Sequence, residues 1–256
     1  MWRGPVVQAR KNAVNAVKWK VFSIHAKLIC IAATKGGNPD DNPTLATAIY
    51  KAKKEGVPND TIDRAIKKGT WEDKDAAQIT EIIYEGYAPG WVAIMVQTLT
   101  DNKNRTVSNI RHAFTKCSWT MWESWSVSWM FHRKWVIFID PTKHDYDSIE
   151  EIVFETNAED IVSEENYIKI ITSIEDHSWV EKALEEKGIE MMESKLDFVA
   201  DNEVEITDFD KALKFKKMVE AFNDDEDVAS VSSNEIISPE LEKEVEDFIE
   251  KHSFKS

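Results

Sequence analysis

The chain has 256 residues, 42% of them hydrophobic and 31% charged, with a net charge of −15. That length can build two or three domains with cores of their own, and the composition is that of a soluble globular protein. The longest apolar run, Leu28–Ala33, is far too short to span a bilayer, and no apolar stretch follows Met1-Trp2-Arg3-Gly4-Pro5, so neither a membrane segment nor a signal peptide is expected. Cys30 and Cys117 lie in unrelated segments, which fits a reduced, cytoplasmic setting. The charge is unevenly placed. Residues 1–70 hold thirteen Lys and Arg against five Asp and Glu, a balance of +8, so residues 71–256 must carry −23 to give the chain its net −15. A basic module on an acidic body can face a polyanion with one part and repel it with the rest.

Residues 7–70 read as three helices. Val21, Ile24, Leu28 and Ile31 recur at helical spacing, and Gly36-Gly37-Asn38-Pro39 stops that helix. Asn42-Pro43-Thr44 starts the second, with Leu45, Ile49 and Ala52 inward; Gly56-Val57-Pro58-Asn59 breaks it. Asn59 or Asp60 is the expected cap of a third helix, marked by Ile62, Ala65 and Ile66 and ending at Gly69. Beyond Thr70 the period changes. Glu81–Tyr87 and Val92–Thr98 read as strands joined at Ala88-Pro89-Gly90, and a helix follows over 106–116 with Val107, Ile110 and Phe114 on one face. Val127–Phe131 and Val136–Ile139 read as strands. From Val136 the order is strand, helix (Ser148–Glu155), strands (Asp160–Ser163, Tyr167–Thr172), helix (Val180–Lys187) and strand (Ile189–Glu193), the split β-α-β pattern. Leu196–Ile206, a helix Lys211–Phe222 and a strand Val228–Val231 are expected to complete the sheet begun at Glu81, and Pro239–Lys251 to form a charged helix. The expected fold is α+β in three domains. A basic helical domain spans 1–75, a discontinuous α+β domain 76–134 and 196–237, an inserted β-α-β-β-α-β domain 135–195, and a terminal helix 238–256.

Specific motifs carry a resemblance. Tyr84-Glu85-Gly86-Tyr87-Ala88-Pro89-Gly90, Asp101-Asn102-Lys103-Asn104-Arg105-Thr106 and Ile110-Arg111-His112-Ala113-Phe114 closely resemble the YebC family. So do Lys20-Val21-Phe22, Gly36-Gly37-Asn38-Pro39 and Glu205-Ile206, and the likeness runs in order along nearly the whole chain. The family includes bacterial proteins described as transcriptional regulators and a mitochondrial translational activator of cytochrome oxidase. The resemblance implies a helical N-terminal domain followed by two α+β domains, a cytoplasmic location and no cofactor.

One departure from the family is systematic. Tryptophan stands where the resemblance implies glycine at Trp2, Trp19, Trp71, Trp91, Trp119, Trp122, Trp125, Trp135 and Trp179, whereas Trp129 fits an expected Val-Ser-Trp-Met-Phe strand. The chain has ten Trp and eight Gly. Several of these sites fall in turns or loops, where glycine's freedom at positive φ matters. The pattern fits a codon, such as the opal codon, read as glycine in the cell and translated here as tryptophan; a genuine aromatic cluster is the alternative.

The candidate nucleic-acid contacts are the cations of the basic module: Arg3, Arg10, Lys11, Lys18, Lys20, Lys27, Lys51, Lys54, Arg64, Lys67 and Lys68. Lys and Arg on helix faces neutralise phosphates and release counterions, although a plain solvated face has the same spacing. A second candidate patch comprises Tyr84, Glu85, Tyr87, Asn104, Arg105, Arg111 and His112. Asp101–Thr106 lacks the acid and glycine of a calcium loop and reads as a turn in which Asn104 or Thr106 caps a helix. No nucleophile–base pair, phosphate loop or histidine ligand spacing stands out, so neither enzyme, metal site nor small-molecule substrate is expected. These features imply a non-enzymatic regulator binding DNA. The alternatives are a ribosome-associated translation factor binding ribosomal RNA, and an adaptor using its acidic surfaces.

Overall fold

The computed structural model describes residues 4–72, 77–117, 126–163 and 167–253, with side chains from Lys18 onward. Three helices come first: α1 (Gly4–Ala33), α2 (Pro43–Lys54) and α3 (Asn59–Gly69). Asn42 explains the tight turn between α1 and α2. Its Oδ1 accepts the Leu45 amide at 3.1 Å, while its Nδ2 donates to Ala32 O and Gly36 O at 2.8 and 2.9 Å. One buried side chain thus caps the start of α2 and ties it to the Ala32 carbonyl of α1 and the Gly36 carbonyl of the turn. Against expectation, α3 has no side-chain cap: Asn59 and Asp60 lie within its first turn, entered from extended Pro58. The inward face of α1 also differs from the sequence reading. Phe22, Ile29, Ala32 and Ala33 pack on Leu45, Ala52 and Ile62, whereas Leu28 is exposed. Ile24, Cys30 and Ile31 turn instead toward Ile79 and Leu99 of the body. A helix packed on two sides defeats a single-stripe reading.

The body begins with a hairpin of β1 (Thr80–Ala88) and β2 (Val92–Thr100), then α4 (Lys103–Lys116). Ser128–Met130, expected as strand, forms a 3₁₀ turn, and Trp129 in it is 67% exposed. One continuous strand β3 (Phe131–Ile139) follows. Then come α5 (Tyr146–Phe154), β4 (Ala158–Ser163), β5 (Ile168–Thr172), α6 (His177–Glu186) and β6 (Met191–Ala200). The order across this sheet is β4-β5-β3-β6, antiparallel throughout, which is the arrangement of the split β-α-β pattern. Its helices cover Ile137, Ile139, Ile168 and Ile170. Leu196–Ala200 belongs to this sheet, paired with Phe131–Trp135, rather than to the sheet begun by β1.

The chain returns through β7 (Val204–Ile206), α7 (Phe209–Asp224), β8 (Val228–Ser233) and β9 (Glu235–Ile237) to α8 (Pro239–Ser253). Strand β8 pairs antiparallel with β2 and completes the sheet β1-β2-β8, while β7 and β9 form a separate parallel pair. Helices α4, α7 and α8 bury Ile110, Phe114, Phe215, Met218, Phe222 and Val245 on the Ile94–Val96 face of that sheet. Each such side chain contributes about 1.5–3 kcal/mol when fully buried. The fold is α+β, with an N-terminal helical region followed by antiparallel sheets.

Candidate nucleic-acid interface

Helix ends place half of the exposed cations of residues 18–70. Lys51, Lys53 and Lys54 fall in the last turn of α2, and Lys67 and Lys68 in the last turn of α3, where cations meet the negative end of the helix dipole. Lys18, Lys35, Lys53, Lys54, Arg64 and Lys67 are exposed. So are Asp40, Asp41, Glu55, Asp60 and Asp63. Over residues 18–70 the exposed charges therefore nearly balance, and the excess seen in the sequence resides elsewhere. Part of it lies in Arg10 and Lys11, whose side chains are outside the described set, and in Arg3, which is outside the described residues. The rest lies in half-buried Lys20, Lys27, Lys51 and Lys68.

Three of those lysines face the body. Lys20 Nζ donates to Asn223 O. Lys27 Nζ donates to Glu226 O at 2.8 Å and to Asp227 Oδ1 at 2.9 Å. Lys51 Nζ sits 4.2 Å above the centre of the Trp135 ring, which itself stacks on His177 at 4.1 Å. Burial pushes the ammonium groups of Lys20 and Lys51 below the usual lysine range, with nearby acids opposing the shift. Sequence spacing grouped these three with the solvent-facing cations because it cannot show what packs against a helix.

Asp227 is the hub of the junction. Its side chain is 5% exposed. Its Oδ2 receives Arg105 Nη2 at 2.6 Å, Arg105 Nε at 3.2 Å and Thr106 Oγ1 at 2.9 Å, and Thr100 Oγ1 lies 3.3 Å away. Its backbone carbonyl accepts the Leu99 amide at 2.8 Å. Burial alone would raise the carboxyl's pKa, but hydrogen bonds from Arg105, Lys27 and Thr106 outweigh it and hold the group below the usual range. A cleft of about 580 Å³ opens beside this hub, between Lys27 of α1, Arg105 and Asn109 of α4, and the Asp224–Asp227 turn.

The second candidate patch does not assemble as one surface. Alternate residues of a strand point to opposite faces. Tyr84 packs on the α4/α7 side, while Ile83 and Tyr87 pack on the side of Met95 and Phe131. Glu85 is buried and its Oε2 accepts the Val127 and Ser128 amides at 3.0 and 2.9 Å, fixing the 3₁₀ turn. The cap of α4 is Asn102, whose Oδ1 accepts the Arg105 amide at 3.1 Å; it is neither Asn104, which is exposed, nor Thr106, which is buried at Asp227. Arg111 and His112 are exposed on α4, and Arg105 is committed to Asp101 and Asp227. The sequence reading missed Asp227 altogether. Its one signal was the acid run Asp224–Asp227 ahead of a strand, which reads as a solvated loop.

Among the described residues, two tryptophans have left-handed backbones. Trp71 (φ 61°) follows Thr70 at the end of α3, and the Glu72 amide reaches back to Lys67 O at 3.2 Å. That bond defines a Schellman motif with Trp71 at the position glycine favours. Trp91 (φ 66°) is the last of three residues linking β1 to β2, the left-handed site of such a hairpin loop.

Comparison with known proteins agrees over most of the chain. Residues 5–72 match a family model described as the TACO1/YebC protein N-terminal domain, and residues 79–235 match one described as the TACO1/YebC second and third domain. A probable transcriptional regulatory protein of Maridesulfovibrio salexigens is 44% identical over 94% of this chain and 96% of its own length. A protein of the same description from Thermotoga maritima is 43% identical over 93% and 94%. The crystal structure of a conserved hypothetical protein from Aquifex aeolicus superposes with a TM-score of 0.78 at 38% identity, covering 86% of this chain and 90% of that one. With both family models matched in order and relatives this similar over nearly their full length, the chain belongs to the TACO1/YebC family.

Proposed function

We propose that the protein is a non-enzymatic, cytoplasmic regulator of gene expression that binds nucleic acid, with DNA as its target, through its N-terminal helices. The observation that carries this reading is the exposure of Lys53 and Lys54 in the last turn of α2 and of Lys67 in the last turn of α3, with Arg64 exposed in the middle of α3. The family's bacterial members compared above bear the description of transcriptional regulatory proteins, which supports the same reading. Such lysines act as point charges toward phosphate and carry no base readout, so the binding is expected to be salt-dependent and weakly sequence-selective. The reading assigns no catalytic residue and no cofactor.

Charge reversal at Lys54, Arg64 and Lys67 tests it. Each lost phosphate contact lowers the slope of log affinity against log salt by about 0.9 on duplex DNA, so the triple variant is expected to lose roughly 2.7 in slope. Unchanged affinity and slope would remove the helical module from the interface. Crosslinking in cells identifies the polyanion: enrichment of promoter DNA supports the reading, and enrichment of ribosomal RNA replaces DNA by the translating ribosome.

A further inference from the structure

We infer that the turn Asn223–Asp227 is an intramolecular competitor for phosphate, holding Lys20 and Lys27 of α1 until nucleic acid displaces it. The inference rests on the nucleic-acid reading above and concerns how that interface is regulated. Both lysines belong to the basic module, one helical heptad apart on α1, and both reach across about two hundred residues of sequence to the same turn. The turn is four consecutive acids, Asp224-Asp225-Glu226-Asp227, so its field resembles that of a short run of phosphates.

The bonds that hold the lysines are replaceable. Lys20 is bound to a neutral carbonyl, whereas a phosphate oxygen is a charged and stronger acceptor. Lys27 does contact a carboxylate, but Asp227 has other donors: the Arg105 guanidinium and the Thr106 hydroxyl keep it neutralised and hydrogen-bonded when Lys27 leaves. Helix α1 stays anchored meanwhile, because Ile24 and Ile31 remain packed with Ile79 and Leu99. The near-balance of exposed charge over residues 18–70 gives the exchange a purpose: freeing Lys20 and Lys27 adds two positive charges to the module's available face.

The test weakens the electrostatic hold with amides of the same shape, Asp224→Asn, Asp225→Asn and Glu226→Gln, which remove the carboxylates that favour the Lys20 ammonium and leave the Asn223 and Glu226 carbonyls and the Asp227 hub in place. A control removes three exposed acids of α8 instead, Glu240→Gln, Glu244→Gln and Glu246→Gln. Binding of a fluorescein-labelled duplex of about 30 base pairs, and of the matching RNA, is followed by anisotropy across a salt series. Both variants bind more tightly through their altered net charge. The turn variant alone is expected to steepen the salt slope, by about one phosphate equivalent or roughly 0.9 on the duplex, because Lys27 keeps its Asp227 partner. Adding Lys20→Ala and Lys27→Ala to it returns the slope to the wild-type value. A turn variant with the same slope as the α8 control, or one whose slope ignores the two alanines, overturns the inference while leaving the interface intact. Absence of binding by wild type and turn variant alike at low salt overturns the nucleic-acid reading itself.

A second, independent observation concerns covalent identity. We propose that positions 71 and 91 are glycine in the protein made by its own source. Both residues have left-handed backbones, each in a motif whose geometry glycine favours, and both rings are more than half exposed. Trp135, by contrast, is packed between Lys51 and His177, and Trp129 is absent from the positive-φ set. Trp2, Trp119, Trp122 and Trp125 lie outside the described residues. Tandem mass spectrometry of the protein purified from its source reads these positions directly. Glycine at 71 and 91 with tryptophan at 129 is the expected result; tryptophan at all three overturns the proposal.

Discussion

At the scale of single residues, backbone conformation and buried charge decide what a side chain can do. A left-handed φ costs a residue bearing Cβ about 1–2 kcal/mol, partly offset by the larger unfolded-state entropy of glycine. Trp71→Gly and Trp91→Gly are each expected to stabilise the fold by about 0.5–1 kcal/mol, read as a rise in the thermal midpoint of a few degrees when combined. A fall in midpoint would mean that the exposed rings contribute more than the strained backbone costs. Asp227 makes a pH prediction. Its folded pKa is lowered, so the stability it supplies is fully present above the unfolded value of about 3.9 and is lost as pH falls toward the folded value. Asp227→Asn is expected to cost about 2–3 kcal/mol in urea unfolding between about pH 5 and 7, and the gap from wild type should close below about pH 4. A gap that persists in strong acid would assign the loss to packing rather than charge.

At the scale of elements, the three N-terminal helices were legible because Gly36-Gly37 and Gly56-Val57-Pro58 punctuate them, and such signals act locally. The split β-α-β order was legible for the same reason: alternation and helical periodicity change at each boundary. Val136–Ile139 of β3 was legible too, but the continuation of that strand through His132–Trp135 and the 3₁₀ turn before it were not. Met130 and Phe131 are buried in both a strand and a turn, and what selects the turn is Glu85, 42 residues away in sequence, accepting the Val127 amide. Packing of α3 on α1 depends on one position. A Cβ at Gly69 would lie 2.3 Å from Cys30 O and 2.7 Å from Ala33 Cβ, and backbone cannot yield as a flexible side chain does. Gly69→Ala is expected to destabilise the protein by about 1–3 kcal/mol, measurable by chemical denaturation. A neutral effect would show that α3 is free to shift away from α1.

At the scale of the whole molecule, charge and topology are separable. The +8 over residues 1–70 against −23 over the remainder is fixed by composition, and it made a polyanion partner the natural expectation before any element was placed. Which cations are available is a tertiary matter. Lys18, Lys54 and Arg64 face solvent, while Lys20, Lys27 and Lys51 face the acidic body, although all six lie on helices of the same basic module. The motif around Asp101–Thr106 shows the same division. The sequence marked it as a turn starting a helix, but Asn102 rather than Asn104 caps it, and Arg105 is committed to a carboxylate 122 residues further on. By itself the sequence determined the class of fold, the order of its elements, the family and the sign of each region's charge, because these follow from local propensity and composition. Only the tertiary structure decided which lysines are free, which face of α1 is buried on each side and that Asp227 joins the two regions, because burial and pairing depend on segments brought together from far apart in the chain.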